Sequence, residues 1–259
     1  MIANYHTHTP LCHHSSGTEE EFIKKAIAEG VKILGFSDHA PYIYPAPYVS
    51  EYKMAPSEIG KYFDTLIALR EKYADKIEIH IGFEAEYYPN LFDETLALWR
   101  SYPTEYLILG QHMIYNEYDR PRITPGAPTE DVKRMSDYVD LVCRAIATDR
   151  FSYIAHPDIM RYTGDINIYR EYMSRMIAAA KAADLPLEIN LLGLSEGRFY
   201  PYDRFWELVS DFDASVIIGC DAHSTKRVAD PDEYNAALGY ARRLGLRVLD
   251  TIQLKNPIF

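Results

Sequence analysis

The N-terminal stretch IANYHTHTPLCHHSSGTEEEFIKKAIAEGVKILGFSDHA, residues 2–40, contains one full repeat of strand, helix and strand. A short β-rich run at residues 2–5 precedes a helical pattern, and a second β-rich run follows at residues 32–37. The helical pattern begins with Thr18 and Glu21 in the spacing of a capping box and ends at Gly30. Strand, helix and strand in this order predict two parallel strands joined by a crossover helix.

The same alternation continues along the rest of the chain. Further strands are predicted at residues 77–83, 106–109, 152–155, 187–191, 215–219 and 246–250, with helical patterns between them. Seven or eight such units in 259 residues favour a closed α/β barrel of the TIM type over an open sheet. Because no Ser/Gly-rich linker and no internal repeat divides the chain, we predict a single domain over residues 1–259.

Composition limits the classes of partner. The formal net charge is -11 and the pI is near 5.3, which argues against nucleic acid because that partner selects for basic patches. A small phosphorylated substrate remains compatible with this charge. The three cysteines, Cys12, Cys143 and Cys220, form no CxxC pattern, which fits a reducing compartment. Without a signal peptide or an apolar run of about 18 residues, the sequence predicts a cytoplasmic protein with no membrane partner, and the oligomeric state stays open.

Histidines and acidic residues recur where the predicted strands end. The side chains that follow strand ends are His6, His8, Asp38, His39, Glu84, His112, His156, Asp221 and His223. Because the carboxyl ends of parallel strands meet at one rim of a barrel, these side chains should converge. A single histidine in a loop is usually not a ligand, but independent histidines have no reason to follow several different strand ends. The pattern therefore predicts a metal site at the C-terminal rim of the barrel.

The donor chemistry of this site predicts transition metals. Imidazole suits zinc, iron, manganese or cobalt, whereas magnesium and calcium prefer oxygen ligands. Seven candidate imidazoles are too many for one tetrahedral ion with an open position, so we predict two or three ions, with zinc favoured. Glu84 and Asp221 would partly neutralise the ions, and a carboxylate can bridge two of them. A protein that only sequesters metal is the non-catalytic alternative, since it needs neither an open coordination position nor an anion clamp.

The order of these motifs resembles the PHP family, the polymerase and histidinol phosphatase superfamily. The matching motifs are H-x-H at residues 6–8, His14 six residues further on, D-H at 38–39, G-x-E at 82–84, His112, His156 and D-A-H at 221–223. Four further motifs resemble the histidinol-phosphatase branch of the family. They are HTHTPLCHH at residues 6–14, HPD at 156–158, E-x-N at 188–190 and G-R-x-Y-P at 197–201.

This resemblance implies a distorted (β/α)7 barrel with a trinuclear metal centre. The implied ligand sets are His6, His8, Glu84 and Asp221 for one ion, Glu84, His112 and His156 for a second, and His14, His39 and His223 for a third. Glu84, Asp221 and His223 are the implied catalytic residues. His13 adjoins the better-placed His14, although which of the two coordinates stays open, and His80 lies within the third strand before the rim.

The resemblance also implies a metal-dependent phosphatase. The favoured reaction is hydrolysis of L-histidinol phosphate to histidinol and phosphate in histidine biosynthesis, through attack by a hydroxide that bridges two ions. The predicted phosphate ligands are Arg161 and Arg198, which follow strand ends and carry the guanidinium fork that fits phosphate. Asn190 and Glu188 are predicted substrate contacts, Glu188 for the amine. The alternatives are another PHP substrate, such as a nucleotide, a sugar phosphate or phosphotyrosine, and a metal-dependent C–N hydrolase.

Several neighbouring residues receive lesser roles. Glu86 has the same strand parity as Glu84, but the G-x-E motif favours Glu84 as the ligand. Asp38 and Asp158 are expected to orient neighbouring imidazoles. Two long loops, residues 40–56 and 116–128, are predicted to form walls of the substrate pocket, because loops after barrel strands cover the active face. Arg122, on the second loop, is expected to matter less than Arg161 and Arg198.

Overall fold

The computed structural model of the chain describes residues 1–257. In these residues, eight parallel strands form one sheet in which each strand pairs with its neighbours in sequence. The strands are β1 (Ala3–Asn4), β2 (Ile33–His39), β3 (Glu78–Ala85), β4 (Tyr106–Leu109), β5 (Tyr153–Ile154), β6 (Leu187–Asn190), β7 (Ser215–Gly219) and β8 (Arg247–Val248). The longest pairing joins β2 to β3 and places His39 directly beside Glu84. Mostly apolar strands of this kind are typical of parallel sheets covered on both faces.

Helices connect the strands and cover the outside of the sheet. They are α1 (Glu19–Ala28), α2 (Ile59–Lys72), α3 (Phe92–Arg100), α4 (Val132–Ala147), α5 (Ile166–Ala182), α6 (Leu191–Ser195), α7 (Asp203–Asp211) and α8 (Pro231–Arg243). The predicted capping box is present at α1, where Thr18 Oγ1 accepts a hydrogen bond from Glu21 N and the Glu21 carboxylate accepts one from Thr18 N. Among residues 1–257, no helix has both the length and the apolar composition of a membrane span.

The barrel closes at its C-terminal rim, where β1 approaches β7. Beyond the ends of these strands, Thr7 pairs in parallel with Ala222. His8 N donates a hydrogen bond to Ala222 O over 3.0 Å, and Ala222 N donates one to His6 O over 3.2 Å. The short strand β8 instead pairs with the first two residues of β7, at the opposite end of the barrel. Seven strands therefore surround the rim, and the predicted distorted TIM-like barrel is confirmed.

The barrel interior is filled by aromatic and small apolar side chains. Tyr5, Tyr106 and Tyr153 are the largest members of this buried cluster. Ile252 and Leu254, from the segment after β8, pack against it from the N-terminal end of the strands. This segment therefore forms a floor to the barrel, at the end opposite the rim that carries the histidines.

Candidate metal centre

All nine predicted metal ligands meet at the C-terminal rim. Their seven imidazoles form a closed circuit in which each ring contacts the next, with ring centroids 3.9 to 6.0 Å apart. The order around the circuit is His6, His156, His112, His39, His14, His223 and His8. The circuit brings together side chains that lie more than two hundred residues apart in the sequence, because the strands deliver them to one edge.

The carboxylate of Glu84 lies within this circuit. Its Oε1 is 2.9 Å from Nε2 of His156 and 3.4 Å from Nε2 of His112. Its Oε2 is 2.9 Å from Nδ1 of His39 and 3.6 Å from Nε2 of His8. The two oxygens therefore face different imidazoles, which is the geometry that a carboxylate shared between two ions requires.

Asp221 provides the second carboxylate of the cluster. Its Oδ1 lies 3.1 Å from Nε2 of His8, 3.3 Å from Nδ1 of His223 and 3.5 Å from Nε2 of His6. Asp221 and His156 both have left-handed backbone conformations, with φ of 48° and 31°. Residues other than glycine are uncommon in this region, and such strain is concentrated at functional sites.

Glu188 lies beneath the cluster, and it is fully buried. Its Oε1 is 2.8 Å from Nδ1 of His6, and its Oε2 accepts hydrogen bonds from His156 N over 3.0 Å and from Asn190 Nδ2 over 3.1 Å. Asn190 also donates to Oδ2 of Asp221. A carboxylate on the far nitrogen of a ligating imidazole fixes its orientation. The geometry favours this orienting role for Glu188 and Asn190 over the predicted contacts with the substrate.

The two other aspartates expected to orient imidazoles differ from each other. Asp38 accepts a hydrogen bond from Thr9 N over 3.2 Å, and its Oδ1 lies 3.5 Å from Nδ1 of His8, as expected for an orienting residue. Asp158 instead accepts hydrogen bonds from Tyr202 N and Trp206 Nε1, over 2.7 and 2.8 Å. Burial raises the pKa of Asp158 to about 6, against the effect of these donors. Asp158 therefore anchors the start of α7, and the prediction that it orients an imidazole was wrong.

Electrostatic coupling within the cluster is strong. Burial alone would lower the pKa of His8, but Asp221 and Asp38 outweigh it and raise the pKa to about 9. Burial alone would raise the pKa of Glu84, but the surrounding imidazoles hold it well below its ordinary value. For His39, burial and the neighbouring His8 both lower the pKa. The carboxylates therefore stay ionised and favour any cation that enters the cluster.

The buried donor atoms fit transition-metal ions. Two imidazole nitrogens, Nε2 of His6 and Nε2 of His223, are buried and have no hydrogen-bond partner among the described residues. Among the described residues, three groups composed only of imidazole and carboxylate donors have ligand atoms within 4.8 Å of one another: His6, His8 and Asp221; His39, Glu84 and His112; and His8, His39 and His223. Mixed imidazole and carboxylate sets of this kind suit zinc and related ions.

The thiol of Cys12 also lies near this cluster, although Cys12 is not among the predicted ligands. The sulfur of Cys12 lies within 4.8 Å of donor atoms of His14 and His223. Cys12 is fully buried, and burial followed by the nearby Asp38 raises the pKa of its thiol well above the ordinary value. Cys12 therefore carries a protonated thiol in the metal-free protein.

A cavity of about 410 Å³ opens above the imidazoles. Its floor includes His14, His39, His112, His156, Asp221 and His223, and the predicted wall loops contribute Tyr52, Lys53, Glu117 and Thr124. Arg198 lies on the opposite wall, where it donates hydrogen bonds to Tyr200 Oη over 2.9 Å and to Glu196 over 2.7 Å. This volume is within the range of small-molecule sites.

Arg161, the other predicted phosphate ligand, lies further out. Its side chain is exposed, and its guanidinium lies over the ring of Phe199 at 5.4 Å from the centroid. It lines an adjoining depression that shares His112, Arg198 and Tyr200 with the main cavity. Arg161 is therefore placed at the entrance to the site.

The PHP domain profile matches residues 4–191 of this chain. The chain belongs to the PHP family. A probable histidinol-phosphatase of Deinococcus radiodurans is 24% identical over 231 residues, which cover 88% of each chain. The crystal structure of the Lactococcus lactis histidinol phosphate phosphatase complexed with zinc, L-histidinol and phosphate is similar, with a TM-score of 0.73 at 19% identity over 97% of this chain and 98% of that one. A putative histidinol phosphatase from Listeria monocytogenes has a TM-score of 0.69 at 21% identity, over 90% of this chain and 99% of that one.

Membership of the PHP family confirms the resemblance that the motifs predicted, and with it the class of metal-dependent phosphatase. Of the two adjacent histidines near the N-terminus, His14 lines the cavity and His13 does not. His80 lies near the N-terminal end of β3, where its Nδ1 is 2.7 Å from Glu105 Oε2, far from the rim. Both histidines are therefore outside the circuit.

Sequence reasoning missed a polar group behind this PHP site. Lys53, Glu86 and Glu117 are buried together beside the cavity, and Glu86 contacts the predicted ligand His112. Arg122 supports the same region by donating to Glu117 O over 2.9 Å. The one sequence signal for this group was the strand parity of Glu86, which places its side chain on the same face as Glu84.

Proposed function

We propose that this protein hydrolyses L-histidinol phosphate to histidinol and phosphate, as a step of histidine biosynthesis, with two or three transition-metal ions. The observation that carries the proposal is the position of Glu84 within a circuit of seven imidazoles, directly below a cavity that holds Arg198 on its wall. Similarity to histidinol phosphatases over most of the chain supports the choice of substrate.

The metal ligands are proposed in three sets, with zinc favoured over iron, manganese or cobalt. The sets are His6, His8, Glu84 and Asp221; Glu84, His112 and His156; and His14, His39 and His223. The two oxygens of Glu84 face different imidazoles, which supports a Glu84 carboxylate shared between two ions. His39 Nδ1 lies 2.9 Å from Glu84 Oε2, so His39 also lies beside the second set of ligands. When bound, such ions neutralise charge on the phosphate and lower the pKa of water to give a nucleophile near neutral pH.

The protein's own residues would position the substrate. The guanidinium of Arg198, held by Tyr200 and Glu196, is proposed to bind phosphoryl oxygens from the cavity wall. Arg161 would guide or hold the phosphate from the entrance. Glu84, Asp221 and His223 are the proposed catalytic residues, since Asp221 and His223 line the floor of the cavity and Glu84 lies directly below it. The formal net charge of -11 makes the protein tolerant of a leaving group that carries a cationic amine.

A phosphate-release assay tests the proposal. The panel contains histidinol phosphate, a nucleoside monophosphate, a sugar phosphate, phosphotyrosine and a phosphodiester, with the metal content of the protein measured by elemental analysis. We expect kcat/KM for histidinol phosphate to exceed that of the other esters by at least about ten-fold. The Glu84→Gln variant controls for contaminating phosphatases.

Two results would contradict the proposal. A different ester hydrolysed faster than histidinol phosphate would reject the substrate and leave the phosphatase class in place. One ion or fewer per chain, after reconstitution with zinc, manganese and iron in turn, would reject the multinuclear centre.

A further inference from the structure

A buried lysine lies beside the metal-ligand cluster, on the loop between β2 and α2. Lys53 is 5% exposed, and its ammonium forms ion pairs with Glu117 and with Oε1 of Glu86, the latter at 3.5 Å. The rings of Tyr42 and Tyr88 flank the ammonium, with centroids 5.4 and 5.7 Å from Nζ. Lysine is almost never fully buried unless it is paired. The setting therefore indicates that its charge has a specific use.

Glu86 connects this ammonium to the metal-ligand cluster. Its Oε1 lies 3.0 Å from Nδ1 of His112 as well as 3.5 Å from Nζ of Lys53. With Nδ1 facing Glu86, the other ring nitrogen of His112 points towards Glu84, 3.4 Å from Oε1. A carboxylate in this position fixes both the orientation and the tautomer of a metal-binding imidazole. Lys53, Glu86, His112 and Glu84 therefore form one continuous series of contacts.

The ammonium is what keeps Glu86 in place. Glu86 is 2% exposed, and a buried carboxylate without an opposite charge is strongly disfavoured. Without Lys53, the Glu86 carboxylate would lose the opposite charge beside it and turn towards water, which would weaken its contact with His112. The imidazole would then be free to rotate away from Glu84.

A second group at the other end of the barrel has the same chemical order. Arg70 forms an ion pair with Glu105, whose Oε2 lies 2.7 Å from Nδ1 of His80. Cation, carboxylate and imidazole follow one another as they do at Lys53, but here they lie at the N-terminal ends of the strands. His80 then contacts Glu78 rather than any predicted ligand. Arg70 is thus a control with the same order of groups at a more exposed position.

We infer that Lys53 is a positioning residue of the metal centre: its ammonium holds Glu86, and Glu86 holds the imidazole of His112 in the orientation that binds metal. The inference rests on the proposed metal centre and extends it to a residue outside the proposed ligand sets. It assigns the loop between β2 and α2 a part in metal binding as well as in forming the cavity wall.

The test is zinc binding to the metal-free, full-length protein, measured by calorimetry in the presence of a competing chelator. Lys53→Met keeps much of the side-chain length and removes the charge. We expect one class of zinc site to weaken by about 10- to 100-fold, the usual cost of losing a residue that orients a ligand. The remaining sites should keep their affinity, and Lys53→Arg should restore most of the loss. Arg70→Met should change zinc affinity by less than about two-fold, because Arg70 lies at the opposite end of the barrel and its group contacts no predicted ligand.

A second variant changes another residue in the same series of contacts, so the test does not depend on the folding of Lys53→Met. Glu86→Gln keeps the side-chain volume and should weaken the same class of zinc site, whether or not Lys53→Met folds. Unchanged zinc affinity in Glu86→Gln, or in a folded Lys53→Met protein, would overturn the inference. An equal loss in Arg70→Met would overturn it as well, because the effect would then be general destabilisation. A wild-type protein that binds no zinc would instead reject the proposed metal centre, and this inference with it.

Discussion

The carboxylate of Glu84 lies against the Cα of Gly110, the residue that follows β4. A Cβ atom at position 110 would overlap the Cγ, the Cδ and the Oε1 of Glu84. The backbone of Gly110 cannot move away freely, because its N–H donates to Ala85 O over 3.1 Å in the pairing of β3 with β4. Position 110 therefore has to be glycine for Glu84 to reach the imidazoles on both of its sides.

Gly110→Ala should displace the Glu84 carboxylate while leaving the barrel folded. We expect kcat/KM to fall by about 10- to 100-fold, with a matching loss of bound metal. Kinetics and elemental analysis on the same preparation measure the two effects. Gly239→Ala in α8 is the control, since a Cβ there meets no atom within 4 Å and should raise stability by up to about 1 kcal/mol. Full activity and full metal content in Gly110→Ala would contradict the assignment of Glu84.

Glu84 and Glu86 should differ strongly in their effects. Glu84→Gln removes the charge and the bridging capacity at nearly constant volume, so activity should fall by orders of magnitude while the fold persists. Glu86→Gln should cost only about ten-fold, because Glu86 acts on His112 rather than on the metal. Steady-state kinetics of both variants on one substrate makes the comparison. Equal losses, or a larger loss in Glu86→Gln, would show that the wrong carboxylate was chosen.

The arginines of the cavity and its entrance should contribute unequally. Loss of a charge-assisted contact to a bound anion costs about 1.5 to 3 kcal/mol, or roughly ten- to a hundred-fold in kcat/KM. We expect Arg198→Ala to show the larger loss, because Arg198 lines the cavity, and Arg161→Ala the smaller one. A contact present in both ground and transition states should mainly raise KM. Arg204→Ala, on the surface of α7, is the control. Unchanged kcat/KM in both test variants would remove the proposed phosphate clamp.

Glu117 should stabilise the fold in a manner that depends on pH. Burial raises its pKa, but Lys53 and the hydroxyls of Ser50 and Tyr44 outweigh burial and lower the pKa to about 2. Because the folded pKa lies below the ordinary value of 4.5, the stabilisation is complete above pH 4.5 and declines as the pH falls towards 2. Glu117→Gln should lower the unfolding free energy at neutral pH by about 3 kcal/mol.

Urea unfolding of wild type and Glu117→Gln, from neutral pH down to about pH 3, measures this difference. The gap between the two proteins should narrow below pH 4.5. A gap that is constant over the whole range would show that lost packing, not lost charge, causes the destabilisation.

The convergence of the predicted ligands was predictable because the position of a residue at a strand end determines where it lies in a parallel barrel. His112 and His156 follow β4 and β5, so they reach the same rim whatever path the intervening helix takes. The closed circuit itself was not predictable, since the rotation of each imidazole depends on its neighbours. Closure through Thr7 and Ala222 likewise depends on the stagger of the strands, which hydrophobic pattern does not encode.

The residues behind the ligands could not be predicted in the same way. Lys53 and Glu117 lie 64 residues apart in two irregular loops, where no hydrophobic period reports the direction of a side chain. Glu188 lies on β6, and its side chain points into the barrel. Because it lies two residues before the end of the strand, its carboxylate contacts His6 and does not reach the cavity. Asp158 follows a predicted ligand closely, yet it pairs with Trp206 because α7 passes above it. Each of these contacts is set by tertiary packing.

The left-handed backbones of His156 and Asp221 carry a consequence for engineering this chain. Each such residue costs the fold about 1 to 3 kcal/mol, a cost that glycine would avoid. A glycine at either position would relieve that backbone cost, but it would also leave the space of a buried side chain empty and delete a predicted ligand. At these two positions the backbone that the fold disfavours and the side chain that the site needs belong to the same residue, so a screen for thermostable variants has to score activity together with melting temperature.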